Sequence, residues 1–173
     1  ITDVLWRVNK NSQNLLAEGL AKLLGRAYLQ KQGDAGAVGS WPAARQAIED
    51  FFIRHRIDPE QFVLADGSGL SRENRVTTDQ ISGLLLAMHR SPHREAFYAS
   101  LAEGGVDGTI RRRFTDLPGR VHAKTGYIGG VRSLSGYVET DTGRTLIFAF
   151  IYNQIPRQSG GIRDTAPYEE LQD

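Results

Sequence analysis

The stretch His122-Ala-Lys-Thr-Gly-Tyr-Ile-Gly-Gly-Val-Arg-Ser-Leu-Ser-Gly-Tyr-Val138 decides how the rest of the chain is read. Lys124, Thr125 and Gly126 lie on the first arm of a predicted hairpin. The Ile128-Gly129-Gly130 break supplies a permissive turn, and Val131, Leu134, Tyr137 and Val138 give the second arm its apolar and aromatic residues. A strand edge of this kind offers backbone N–H groups to an extended peptide, and an ammonium and a hydroxyl beside it can hold a carboxylate. Gly126 lets such a ligand come close. The tripeptide alone also fits an ordinary surface hairpin with a solvated lysine, so its meaning depends on what surrounds it.

Around the hairpin, strand patterns cover about 120 to 125, 131 to 139 and 144 to 152, the last two joined by Asp141-Thr142-Gly143. Helical spacing dominates upstream. Val4, Leu5 and Val8 mark a first helix, and the polar run Asn9 to Asn14 interrupts it. Leu15, Leu16, Leu20, Leu23, Leu24 and Ala27 then form a wide apolar stripe that is expected to be buried. Ser12 and Asn14 thus fall at a helix junction, where both also fit simple caps. Ser40 and Pro42 open a helix reaching about Arg56, and Phe62 to Ala65 is a short strand candidate. Thr77 and Gln80 have capping-box spacing ahead of a helix from Thr78 to about Arg90, with Val76 and Ile81 as its staple. One helix is predicted after Ser91-Pro92 and a short one after Asp107. Helices followed by a three-stranded antiparallel meander define an α+β class.

Composition narrows the function. At 173 residues the chain suits one domain with a real core. A balance of 21 basic against 20 acidic residues argues against nucleic acid or an anionic membrane held by net charge. Arg111-Arg112-Arg113 reads as the solvated face of a helix, since no aromatic residues interleave with it. The absence of cysteine excludes disulfides, thiolate zinc sites and cysteine nucleophiles. His89 and His93 have the spacing of metal ligands, but Ser91-Pro92 breaks the helix that would align them, so no metal is implied. No run approaches the roughly 18 apolar residues of a membrane span. The opening residues lack a signal-peptide layout and an initiator Met, which gives the expectation of a piece whose upstream part lies elsewhere. Ser68, flanked directly by glycines, does not match a nucleophile elbow.

Ser12-Gln13-Asn14 opening a leucine-striped helix, Asp66-Gly-Ser-Gly-Leu-Ser-Arg72, Val106-Asp-Gly-Thr-Ile-Arg-Arg-Arg-Phe114, and Lys124-Thr-Gly126 ahead of Leu134-Ser-Gly-Tyr-Val138 together resemble one family. It is the class C low-molecular-mass penicillin-binding proteins, D-alanyl-D-alanine carboxypeptidase/endopeptidases, and the resemblance runs from about Val4 to about Asn153. That family uses a nucleophilic Ser with a Lys three residues later, then S-x-N, then K-T-G. Here no Ser has a Lys three positions on, so the nucleophile is absent from this chain. The resemblance implies the C-terminal portion of a β-lactamase/transpeptidase-like domain over 1–173, completed by an upstream part bearing S-x-x-K.

Residue by residue, the resemblance makes Ser12 a hydroxyl in the proton relay and Asn14 a holder of a substrate amide. Lys124 becomes the source of positive field, Thr125 a carboxylate ligand, and Gly126 a point of close approach. It gives the Tyr127 N–H to the oxyanion hole, although many relatives have Thr at this position. Arg72 would bind a free carboxylate on the stem-peptide side chain, with Leu70 and Ile128 lining an apolar wall. The implied activity is an extracytoplasmic or periplasmic serine DD-peptidase acting on peptidoglycan stem peptides and acylated by β-lactams, with no cofactor. A non-catalytic wall-peptide-binding module or inert fragment is the alternative from another class. A β-lactamase shares S-x-N-like and K-T-G elements but not the Asp66 to Arg72 turn.

Overall fold

The computed structural model describes residues 1–154. Five α-helices precede most of the sheet: α1 (Thr2–Asn11), α2 (Asn14–Lys31), α3 (Trp41–Arg54), α4 (Thr78–His89) and α5 (Arg94–Ser100). The strands are β1 (Ala102–Glu103), β2 (Val121–Ile128), β3 (Val131–Glu139) and β4 (Thr145–Tyr152), with a 3-10 turn at Gly108–Ile110. The sheet runs β1-β2-β3-β4 and every pair is antiparallel. It therefore has four strands where three were expected. The extra one is two residues long, joining Ala102 to Ala123 and Glu103 to His122. Too short to carry a period of two, it left no sequence signal.

Local chemistry accounts for the helix starts. Ser40 Oγ accepts from the Ala43 N–H at 3.3 Å, and Pro42 lies in the first turn of α3. At α4 the capping box is complete: Gln80 N–H donates to Thr77 Oγ1 at 3.1 Å, and Thr77 N–H donates to Gln80 Oε1 at 3.0 Å. Gln80 is only 2% exposed, and its Nε2 also donates to the carbonyls of Asp58 and Glu60, each at 2.9 Å. The Phe62 to Ala65 candidate makes only an isolated bridge, Val63 to Arg75. The Arg111 to Arg113 cluster lies in a turn after the 3-10 segment, not on a helix face.

The core is divided. Ala102, Ile110, Val121, Ala123 and Leu134 pack on one side with Phe114, Val138 and Phe148. Leu85, Leu101 and Tyr137 pack with Ile81, Phe97, Tyr98 and Ile147 from α4, α5 and the strands. Phe52, Ile57 and Phe62 fill the space between α3 and α4. In the second cluster Tyr137 donates its hydroxyl to the Leu85 carbonyl at 2.7 Å, and burial pushes its pKa up to about 12. Tyr98 stacks at 4.1 Å on His122, whose Nε2 donates to the Gly119 carbonyl at 3.1 Å.

The leucine stripe of α2 departs from expectation. Leu15 is 84% exposed, and Leu23 and Leu24 are exposed as well. Close approach of backbone fixes the helix instead: a Cβ at Gly39 would stand 2.1 Å from the Lys22 carbonyl oxygen, so only glycine allows the loop before α3 to lie against α2.

Gln80→Leu keeps the volume but removes the reciprocal cap bond and leaves the Asp58 and Glu60 carbonyls without their Gln80 donor. It is expected to lower unfolding free energy by about 2 kcal/mol, read from urea denaturation midpoints at unchanged m-value.

Candidate active site

The turn between α1 and α2 sets the site. Ser12 ends α1 in the left-handed region, at φ 54° and ψ 47°, a conformation that costs a non-glycine residue energy unless its surroundings hold it. Two contacts do so. Lys124 Nζ, from β2, donates to Ser12 Oγ at 3.0 Å across 112 residues of sequence. Two residues before Ser12, Lys10 is 8% exposed and forms an ion pair with Asp107. The other oxygen of Asp107 accepts from the Glu103 N–H at 2.9 Å, so this carboxylate ties α1 to β1.

Gly108, next to Asp107, has φ 62°, and a Cβ there would meet Ala102 Cβ at 2.6 Å and the Lys10 carbonyl oxygen at 3.0 Å. The turn can close on α1 only through glycine. It delivers Thr109, whose hydroxyl is 3.0 Å from that of Thr125. Lys124 also donates to the Thr125 carbonyl at 2.5 Å. Ser12, Lys124, Thr125 and Thr109 thus form one connected polar group at the edge of β2. Burial holds the Lys124 pKa below the ordinary lysine range. An ammonium so placed stabilises negative charge on a neighbouring hydroxyl oxygen or on a carboxylate lying across the strand edge.

The remaining candidates lie around this group. Asn14 is the first residue of α2 and is exposed. Tyr127 is 51% exposed and pairs across the hairpin with Arg132, whose guanidinium stacks over the ring 3.5 Å from its centroid. A cavity of about 340 Å³ is lined by Thr109, Arg113, Thr125, Gly126, Tyr127, Arg132 and Ser133. Arg72, Leu70 and Ile128 are not among its lining residues. Arg72 instead donates from Nη2 to the Gly129 carbonyl at 2.8 Å, so its turn touches the tip of the β2–β3 hairpin. Leu70 is exposed, and Ile128 ends β2 opposite Val131.

That turn is itself well built. Asp66 accepts from the N–H groups of Gly69 at 2.7 Å and Ser71 at 2.6 Å, and from Asn74 Nδ2 at 2.8 Å. Burial alone would raise the Asp66 pKa, but hydrogen bonds from Asn74, Ser71, Gly69 and Ser68 outweigh it and hold the carboxyl below its ordinary value. Lys10, Thr109, Arg113, Arg132 and Ser133 border the Ser12–Lys124–Thr125 group although nothing in the sequence singles them out as part of it. Asp107-Gly108-Thr109 offers the nearest thing to a signal, a glycine beside a carboxylate and a hydroxyl, yet their partners lie far away in sequence.

Helices set against an antiparallel sheet, with a Lys-Thr-Gly strand facing a Ser-x-Asn helix junction, define a transpeptidase-like fold. The chain belongs to the D-Ala-D-Ala carboxypeptidase 3 (S13) family, whose profile matches residues 1–166. A D-alanyl-D-alanine carboxypeptidase of Actinomadura sp. (strain R39) is 38% identical over 160 residues, covering 88% of this chain and 28% of that protein. Carboxypeptidase DacB of Mycolicibacterium smegmatis is 31% identical over 157 residues, covering 86% of this chain and 33% of its own length. Among solved structures, penicillin binding protein 4 (dacB) from Haemophilus influenzae superposes with a TM-score of 0.78 at 27% identity, over 98% of this chain and 39% of that one. The same protein complexed with a novel beta-lactam gives the same TM-score. The chain thus spans about a third or less of the curated relatives named here.

The lowered pKa of Lys124 has a thermodynamic consequence. Between that value and the ordinary lysine value of about 10.4, the unfolded chain binds the proton more tightly than the folded one. Folding stability contributed by this group therefore rises with pH through that window. Relative to Lys124→Met, wild type is expected to gain stability as pH rises toward about 10.4, measured as the difference between two denaturation series so that other titrations cancel.

Proposed function

We propose that this chain is the C-terminal part of the transpeptidase domain of an extracytoplasmic serine DD-peptidase, which cleaves D-Ala-D-Ala or the cross-link of peptidoglycan stem peptides through an acyl-enzyme and is acylated by β-lactams. The observation that carries the reading is the Lys124–Ser12 hydrogen bond, which brings the K-T-G and S-x-N residues together in a member of the S13 family. The relatives' carboxypeptidase names and the β-lactam complex of the Haemophilus influenzae protein support it. The nucleophile, an S-x-x-K serine, belongs to the part of the protein outside this chain.

In this reading Ser12 relays a proton between the nucleophile and the leaving amine, and Lys124 lowers the cost of negative charge on the Ser12 oxygen. Asn14 holds a substrate amide. Thr125 donates to the terminal carboxylate. The neighbouring cavity suits that end of the substrate, because Arg113 and Arg132 add positive charge and Thr109 and Ser133 add hydroxyls. Gly126 keeps the strand edge open, and the Tyr127 N–H is one of two oxyanion donors, each worth roughly 3 kcal/mol in the transition state. A backbone role tolerates Tyr where many relatives have Thr. Arg72, with Leu70 and Ile128, recognises the free carboxylate on the stem-peptide side chain.

Residues 1–173 expressed alone are expected to take no covalent label from a tagged penicillin, whereas the full-length protein labels stoichiometrically. Stoichiometric labelling of the 1–173 piece would overturn the assignment of the nucleophile and return Ser12 and Ser68 as candidates.

In the full-length protein, Lys124→Ala is expected to slow acylation by peptide and β-lactam alike by at least about tenfold, the loss of one charge-assisted contact of roughly 1.5 to 3 kcal/mol. Arg72→Ala is expected to weaken peptides that carry the side-chain carboxylate far more than simple penicillins. Parallel acylation kinetics check both. Wild-type rates for Lys124→Ala would remove its role, and equal losses on both substrates for Arg72→Ala would remove that one.

A further inference from the structure

Glu18 lies one helical turn beyond Asn14 on α2, so the two side chains leave the same face of the helix. Its carboxylate does not point into solvent as an isolated charge. Oε2 accepts from the Gly67 N–H at 3.1 Å and from Trp41 Nε1 at 2.8 Å, and Oε1 accepts from the Ser68 N–H at 3.0 Å. Two of these donors are consecutive backbone amides of the turn that ends in Arg72, about 50 residues away in sequence.

The packing at the same point is equally specific. A Cβ on Gly67 would stand 2.7 Å from Ala21 Cβ, 2.8 Å from the Ala17 carbonyl oxygen and 3.1 Å from Glu18 Cα. Any larger residue would lift the turn off the helix, so glycine lets its amides reach the carboxylate. Beyond Gly67 the Asp66 carboxylate fastens Gly69, Ser71 and Asn74 into one stiff unit, and Arg72 then reaches the Gly129 carbonyl. A shift of the turn at 67–68 therefore moves the Arg72 guanidinium with it.

We propose that Glu18 is a positioning residue for substrate specificity, gripping the 66–72 turn so that Arg72 stands in fixed register with Asn14 on the helix start. The inference rests on the roles proposed above for Arg72 and Asn14. Glu18 acts on substrate only through the turn. Gln at this position keeps the volume, but it has one accepting oxygen for three donors and directs an NH2 group at backbone N–H.

The test uses the full-length protein. The kcat/KM for acylation is measured with a stem-type peptide bearing a free side-chain carboxylate and with a simple penicillin, normalised to the fraction that penicillin labels so that only folded enzyme is compared. Glu18→Gln is expected to lose about tenfold or more on the peptide and to stay within about twofold on the penicillin. Gly67→Ala attacks the same contact from the turn side and is expected to give the same split. Glu18→Gln added to Arg72→Ala is expected to cost little further, because both act through one group.

Equal losses on both substrates, or no loss on either, would overturn the proposal. Arg72→Ala in the same assay keeps the two readings apart. If it splits the substrates and the Glu18 and Gly67 variants do not, only this inference is overturned. If Arg72→Ala itself lowers both substrates alike, the Arg72 role falls and the inference falls with it.

Discussion

The ion pair between Lys10 and Asp107 is the constraint on which the site depends. Its lysine is largely withdrawn from water while its carboxylate stays partly exposed, and a buried lysine without a partner is costly, so the end of α1 depends on the Asp107 turn being present to meet it. The pair sets two things together. On the helix side it fixes the residues leading into Ser12, whose left-handed backbone would relax if α1 were free to move. On the turn side it fixes Gly108 and Thr109, and through Thr109 the hydroxyl of Thr125. Lys124 then reaches a serine and a strand already held in place.

Much of this was legible in sequence wherever the controlling interaction is local. The Thr77–Gln80 box was readable because its partners are three residues apart, and the Gly129-Gly130 hairpin because the strand period stops and resumes around it. The S-x-N and K-T-G residues were readable as chemical types, and the structure brings Ser12 and Lys124 into contact. What escaped depends on partners far away. Lys10 reads as an ordinary charge in a last helical turn, since nothing nearby announces Asp107. Arg113 reads as one of three solvated arginines, yet it turns inward to a cavity wall with its guanidinium over Phe114. The α2 stripe erred in the opposite direction: periodicity says which face favours burial, but not whether a described neighbour covers it, and Leu15, Leu23 and Leu24 stand exposed.

Helix α2 carries Asn14 at its start and receives the turn that bears Arg72. Glu18, one turn on from Asn14, meets that turn, and Gly25 and Gly39 bring the start of α3 against the middle of α2. Two separate chain segments are thus measured against one rigid rod. Small residues at the approach points keep those distances short, and a helix interior resists bending far more than a loop does. The apolar contacts between α3 and α4 then carry the same registration toward the sheet.

The separation of 112 residues between Ser12 and Lys124 also bears on the order of events as the chain folds. The β2–β3–β4 meander is made of neighbouring hairpins whose loops close at small entropic cost, whereas docking α1 on β2 must gather most of the described chain first. The sheet is therefore able to assemble early, with its lysine still facing water. Loop-closure entropy favours closing the junction that gives that lysine its hydroxyl partner after the hairpins. The contact that arms the lysine is thus the one that demands the most chain to be gathered, while the strand that bears it needs only its neighbours.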